Sequence, residues 1–269
     1  MNARHACLTF AGTWAPPGTG YPSDVAQACA DVVEEIPVQA PWSFGPMPPG
    51  PVGSPSYRES VHTAVEGAVA WLLAHPHRTV ILGGYSQGAE AASRVLAEFQ
   101  TGRLQHLRGN LVAGYTFGNP SRQNGHTFYR DPAPTPGGGI ADFQLGDTGD
   151  WWLDCAAAGD IYTSCPGGAA GKIMRDAYRL AVDLQLHDFM TFAASFADHL
   201  WALVQDAITD IPAAFDAAGR GIAFITDQPP TRPHITYQFD QCLPGVTHVQ
   251  LACQHVRDWA GRTAAGQAA

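Results

Sequence analysis

Thr79-Val80-Ile81-Leu82, followed after Gly83 by Gly84-Tyr85-Ser86-Gln87-Gly88, is a short apolar run that ends in a glycine-flanked serine. Such a β-branched run suits a strand buried on both faces of a parallel sheet. The pattern G-x-S-x-G fits a sharp strand-to-helix turn. Small residues flank the serine because a side chain there would strike the neighbouring backbone, and the turn lifts the hydroxyl above the sheet edge. A helical run from Gly88 to Phe99 follows at once. A glycine-rich turn with an incidental serine would carry the same five letters. The strand before and the helix after favour a nucleophile.

The pattern outward from this point alternates strand and helix. Cys7 to Phe10 reads as a first core strand, followed by a Pro/Gly loop to Pro22. Ser23 is a good N-cap for a helix reaching about Glu35, with Val25, Cys29, Val32 and Ile36 at helical spacing. After a Pro- and Gly-rich loop, Tyr57, Val61, Ala64, Val65, Ala68, Val69 and Leu72 mark a longer helix, ended by Pro76. Asn110 to Phe117 reads as a further strand and Trp151 to Cys155 as a late one. This order predicts an α/β fold around a central, mostly parallel sheet. Residues 119–149 are loop-rich. Residues 171–219 turn almost wholly helical, which predicts a helical insertion within a single domain spanning 1–269.

Composition narrows the function. The 269 residues are 45% hydrophobic, enough to bury a sizeable core. The charge is 15 − 24 = −9, which argues against a nucleic-acid binder, since neutralising phosphates takes a basic surplus. No stretch reaches the roughly 18 apolar residues of a membrane-spanning helix. The first ten residues lack the apolar run and cleavage site of a secretory signal, so synthesis in a cytoplasm is expected. Six cysteines (7, 29, 155, 165, 242 and 253) can pair only where the surroundings are oxidising.

A serine hydroxyl needs a base, usually His, oriented by a carboxylate. In the α/β-hydrolase arrangement both follow the serine, acid before base. Seven histidines follow Ser86. His187 and His199 lie in the helical block and suit packing or surface roles. His234, in Arg232-Pro233-His234-Ile235-Thr236-Tyr237, leaves a Pro-bounded loop for a β-like or turn segment; His248 and His255 compete with it. For the acid, Asp160 in Gly159-Asp160-Ile161-Tyr162 follows a candidate strand, with Asp147, Asp150 and Asp154 as rivals. A loop Asp is most often a turn or cap residue.

Gly84 to Gly88, Gly118-Asn119-Pro120-Ser121-Arg122-Gln123-Asn124-Gly125, Gly159-Asp160-Ile161-Tyr162-Thr163-Ser164 and Pro233 to Tyr237 together resemble the lysin B family. These are mycobacteriophage esterases, cutinase-like α/β hydrolases that cut mycolic acid from arabinogalactan at the end of infection. The resemblance runs in order from Phe10 to about Tyr237. It implies a triad of Ser86, Asp160 and His234, no metal or other cofactor, and a mycolyl-arabinogalactan or other lipid ester as substrate. It also implies synthesis in the host cytoplasm and action on the host envelope at lysis. Asp160 and His234 are 234 − 160 = 74 residues apart, with the helical block between them. Cutinases proper hold the pair close in sequence, whereas lysin B proteins carry a helical insertion there. Cys155 and Cys165 bracket Asp160, which resembles a cutinase disulfide around the acid loop.

An oxyanion needs two preorganised donors. The residue after the nucleophile supplies one, the Gln87 N–H, and a loop after an early strand supplies the other. Thr13, which cutinase-like enzymes resemble there, is the first choice and Trp14 the alternative. The tail residues Cys242, His248, Cys253 and His255 invite a zinc reading, but C-x5-H-x4-C-x-H departs from the usual close ligand pairs. Three functions stand at this point: a lysin B-type esterase, a cutinase-like lipase or esterase on soluble or micellar esters, and a non-catalytic envelope-binding protein. The intact Ser–Asp–His set disfavours the last. Phe189, Phe192, Phe196, Leu200, Trp201, Leu203, Val204, Ile208, Ile211 and Phe215 are too many for one thin stripe. Part of that block is expected to border the Ser86 cleft and support a long acyl chain.

Overall fold

A computed structural model describes residues 4–45, 49–51, 53–128, 130–182, 205–206, 209–226 and 231–264. Its centre is a five-stranded sheet of β1 (His5–Phe10), β2 (Val33–Pro37), β3 (Val80–Tyr85), β4 (Leu111–Phe117) and β5 (Trp152–Cys155), in spatial order β2-β1-β3-β4-β5. Every neighbouring pair is parallel. The three inner strands are buried along nearly their whole length, as helices covering both faces require.

Side-chain alternation divides the core. Ala6, Leu8 and Phe10 of β1, with Val80 and Leu82 of β3, face α2 (Tyr57–Ala74), α3 (Gln87–Gln100) and α4 (Gly168–Val182). Cys7, Ile81, Tyr115, Phe117 and Leu153 face the other way, against α1 (Tyr21–Ala28) and α7 (His248–Ala260). Between α4 and α7 come α5 (Ile211–Thr226), the short α6 (Arg232–Ile235), and a hairpin of β6 (Gln241–Leu243) and β7 (Val246–Thr247). A buried Glu90 on α3 joins three helices. Tyr57 of α2 and Tyr178 of α4 donate their hydroxyls to its carboxylate at 3.0 and 3.2 Å, and Arg94 pairs with it at 2.8 Å.

The expected helix from Ser23 to Glu35 is corrected. The helix runs only from Tyr21 to Ala28, and Val33–Pro37 is the edge strand β2. Two glutamates and a proline make β2 a poor strand by propensity, yet an edge tolerates all three. Glu35 accepts a hydrogen bond from Thr9 Oγ1 at 2.8 Å, and Glu34 pairs with Arg78 at 2.8 Å. The helical block is present as α4 and α5, on either side of residues outside the description. Phe189, Phe192, Phe196, Leu200, Trp201, Leu203, Val204 and Ile208 lie outside the described residues, whereas Ile211 and Phe215 are exposed on α5.

The described residues of 119–149, among which there is no named helix or strand, are organised by Arg122. Its guanidinium is fully buried and donates to the carbonyls of His126, Thr135, Pro136, Gly137 and, in the loop that carries Asp160, Thr163.

The expected Cys155–Cys165 disulfide is corrected as well: all six thiols are free. Cys155 lies in the core facing α1 and α7, and Cys165 in the core facing α2, α3 and α4. The sheet and its loop keep them apart, and their thiols contact the His248 and Gly171 carbonyls respectively. Protein kept in air, denatured and alkylated is therefore expected to carry the label at both positions in mass mapping. A 155–165 cross-linked peptide would contradict this packing.

Candidate active site

The chain leaves β3 at Tyr85 and enters α3 at Gln87, with Ser86 between them in a left-handed conformation, φ 54°. Non-glycine residues held there store strain of about 1–3 kcal/mol. The flanking glycines explain themselves by space. A Cβ on Gly84 would come within 2.6 Å of the Ala89 Cα, and one on Gly88 within 2.2 Å of the Phe10 carbonyl oxygen.

Ser86, Asp160 and His234 meet at the carboxyl ends of the strands. His234 Nε2 lies 2.9 Å from Ser86 Oγ, and its Nδ1 lies 2.8 Å from Asp160 Oδ2. With the carboxylate as acceptor, the proton of the neutral ring sits on Nδ1, which leaves Nε2 to accept the serine proton. Asp160 is wholly inaccessible to solvent and follows β5. Of the β-like or turn segment expected there, the turn is what forms: His234 sits on the single-turn helix α6, after Thr231 at φ 59°. Its ring is flanked by Tyr85, stacked at 5.2 Å between centroids, and by Tyr162 at 4.6 Å. Tyr85 also donates its hydroxyl to the His234 carbonyl at 2.9 Å. The ring can therefore shuttle a proton without swinging away from the serine.

The rival acids and bases lie elsewhere. Asp147 and Asp150 are exposed. Asp154 is fully buried; burial pushes its carboxyl up, but hydrogen bonds from His126, Thr116 and Asn119 outweigh that and hold it low. His248 packs edge-on against Tyr237, and burial lowers its pKa to about 4. His255 is likewise brought down to about 4 by burial, with Nε2 near the Gly114 and Trp151 carbonyls. The tail residues of the zinc reading also separate. Cys242 bonds the Val246 carbonyl, while Cys253 neighbours Cys29, just past the end of α1. Among the described residues no three His, Cys, Asp or Glu side chains form a metal-sized cluster.

A cleft of about 280 Å³ opens over Ser86, walled by Thr13, Trp14, Phe44, Tyr57, Tyr162 and Thr231. Among the described residues none of its lining comes from α4 or α5; most of the block residues expected to border the cleft lie outside the described residues. Tyr178 of α4 instead backs the wall, ring against ring with Tyr57 and Tyr162. A larger cavity of about 820 Å³ between α2, α3 and α4 does not reach Ser86.

Of the two oxyanion candidates on the early loop, Trp14 has its N–H committed to the Trp42 carbonyl at 2.7 Å. Thr13 lines the cleft with Ser86, and the Gln87 N–H is in the first turn of α3, where helix geometry leaves it without an intrahelical acceptor. The Gln87 side chain, which sequence reasoning left without a role, donates to the Ser43 carbonyl at 2.7 Å. It thereby holds the strap whose Trp42 carbonyl takes the Trp14 N–H.

Comparison with family models gives no match, and comparison with curated protein sequences gives none either. Comparison with solved structures does. The crystal structure of lysin B from Mycobacteriophage D29 superposes over 95% of this chain and 99% of its own, with TM-score 0.56 and 20% identity. The two share their fold, an α/β arrangement around a central parallel sheet. A cutinase-like protein from Cryptococcus sp. covers 60% of this chain and 79% of its own, with TM-score 0.44 and 21% identity. The catalytic core domain of acetyl xylan esterase from Trichoderma reesei covers 67% and 96%, with TM-score 0.46 and 16% identity.

Gln87→Ala keeps the backbone N–H and frees the 42–44 strap. It is expected to lower kcat on a short p-nitrophenyl ester by roughly tenfold with little change in KM, because only transition-state binding is touched. Steady-state kinetics check this.

Proposed function

We propose that the protein is a serine ester hydrolase in which Ser86 is the nucleophile, His234 the general base and acid, and Asp160 the group that orients His234. The observation that carries this reading is the unbroken hydrogen-bonded series Asp160–His234–Ser86 at the floor of an aromatic cleft. His234 Nε2 takes the Ser86 proton as Oγ attacks the ester carbonyl, and Asp160 stabilises the imidazolium that forms. The oxyanion is held by the Gln87 N–H and the Thr13 N–H. Collapse of the tetrahedral intermediate expels the alcohol, which takes the proton back from His234. Water, activated by the same imidazole, then releases the acid. No cofactor is needed for any of these steps.

We infer further that the substrate is the mycolic ester of arabinogalactan, cleaved on the host envelope during phage-induced lysis. This finer reading is supported by the lysin B fold along nearly the whole chain and by the aromatic walls of the cleft. Each CH₂ of an acyl chain removed from water contributes about 0.8 kcal/mol.

Ser86→Ala is expected to abolish hydrolysis of p-nitrophenyl esters and labelling by a fluorophosphonate, with the circular dichroism unchanged. His234→Ala should lose at least ~10³-fold, while His248→Ala keeps wild-type order of activity. Loss in His248→Ala with retention in His234→Ala would overturn the assignment.

Purified mycolyl-arabinogalactan incubated with the enzyme should release free mycolic acid, read by mass spectrometry, and Ser86→Ala should release none. Hydrolysis of micellar esters without mycolate release would mark a cutinase-like lipase instead.

A further inference from the structure

The Asp160 carboxyl has no access to water, so its oxygens depend wholly on protein donors. Oδ1 accepts the Tyr162 N–H at 3.1 Å. Oδ2 accepts two bonds: His234 Nδ1 at 2.8 Å and the Tyr237 hydroxyl at 2.6 Å. Tyr237 is itself buried, and its hydroxyl oxygen accepts the Ala157 N–H at 3.3 Å. One phenol therefore grips the acid loop twice, at Ala157 and Asp160, from the segment that also carries His234 three residues earlier. Phe117 and Tyr21 pack edge-on or tilted against its ring and fix it in place.

We propose that Tyr237 is a positioning residue for the hydrolysis assigned above, holding the Asp160 carboxylate aimed at His234. The proposal rests on that assignment of Ser86, His234 and Asp160. Burial and the Asp160 charge push the Tyr237 phenol far up, so it stays protonated and can only donate to the carboxylate. A hydrogen bond to the charged form favours that form. Losing it makes the buried carboxylate harder to ionise and strengthens its hold on an imidazolium. Both effects move loss of activity on acidification to higher pH.

The groups packed around Tyr237 and Asp160 do not obscure that limb. Burial raises Tyr21 and Tyr162 to about 12, and it raises Tyr85 and Cys155 as well, so all four stay neutral in acid. Arg122 keeps its charge throughout. Burial brings His248 down to about 4.

The test is the pH profile of kcat/KM on a short p-nitrophenyl ester for wild type and Tyr237→Phe. The expected result is a fall of roughly tenfold, mostly in kcat, with the acid limb displaced upward by about half to one pH unit. An acid limb that coincides with wild type, whatever the rate, would overturn the proposal. Should Tyr237→Phe fail to fold, difluorotyrosine at position 237 carries the test, since a more acidic phenol donates more strongly. The limb should then move to lower pH, and an unmoved limb would overturn the proposal. Ser86→Ala is measured alongside. Residual activity there removes the hydrolase assignment itself, whereas an inactive Ser86→Ala beside an unmoved limb removes only the role of Tyr237.

Discussion

The Arg122 guanidinium, a full charge with no exposure, spends its donors on main-chain carbonyls of two loops. Burying such a group without partners is prohibitive. Folding of residues 119–149 must therefore present those carbonyls together or not close at all. This one requirement converts a Pro- and Gly-rich stretch into a rigid shelf. Because the Nε donates to Thr163, the shelf reaches the loop that bears Asp160. Asp154 adds a second anchor, a buried carboxylate satisfied by Thr116 of β4, Asn119 and His126. The acid loop thus owes its position to polar groups that have no alternative partner in the interior.

Where the sequence was legible, local physics and chemistry agreed. The run Val80-Ile81-Leu82 and the glycines at 84 and 88 point to a strand, a tight turn and a helix, and that is how they fold. The long helix from Tyr57 was legible because its apolar face keeps a helical period up to Pro76; the structure adds a reciprocal cap between Ser56 and Glu59. The edge strand β2 was not. Val32 and Ile36 fit a helical spacing by coincidence, and Val33-Glu34-Glu35-Ile36-Pro37 has weak strand propensity. Its structure comes from pairing with β1, a tertiary cause that overrides a local preference.

The site was legible in its chemical types but less so in its supports. Order and loop context left rivals to Asp160 and His234, and the resemblance to lysin B chose between them; hydrogen-bond geometry brings Ser86, Asp160 and His234 together. Tyr237 and the Gln87 amide stood inside quoted motifs without any role. A donor to a carboxylate 77 residues earlier leaves no periodic trace in a single sequence. The usable signal was chemical: a hydroxyl-bearing aromatic three residues beyond a Pro-bounded histidine. The cysteines misled for a related reason. Symmetric placement about Asp160 says nothing of which side of the sheet each residue faces, and strand alternation puts Cys155 on the α7 side.

Backbone strain is concentrated where the cleft is walled. Ser86, Trp14 and Trp42 are three of the non-glycine residues at positive φ, and hydrogen bonds link their segments. Trp14 gives its N–H to Trp42, and Gln87, next to Ser86, clamps Ser43, next to Trp42. Each such residue costs about 1–3 kcal/mol, so the group persists only because surrounding contacts over-determine it. Trp42 is almost wholly buried among α2 and β1 side chains, and Gln87 is fully buried. The core that stabilises the sheet therefore also holds the loop after β1 against the turn after β3. Two N–H groups from separate loops can stay aimed at one point only if neither loop is free to relax. The strain and the rigid packing are in that sense one property, with the cleft as its consequence.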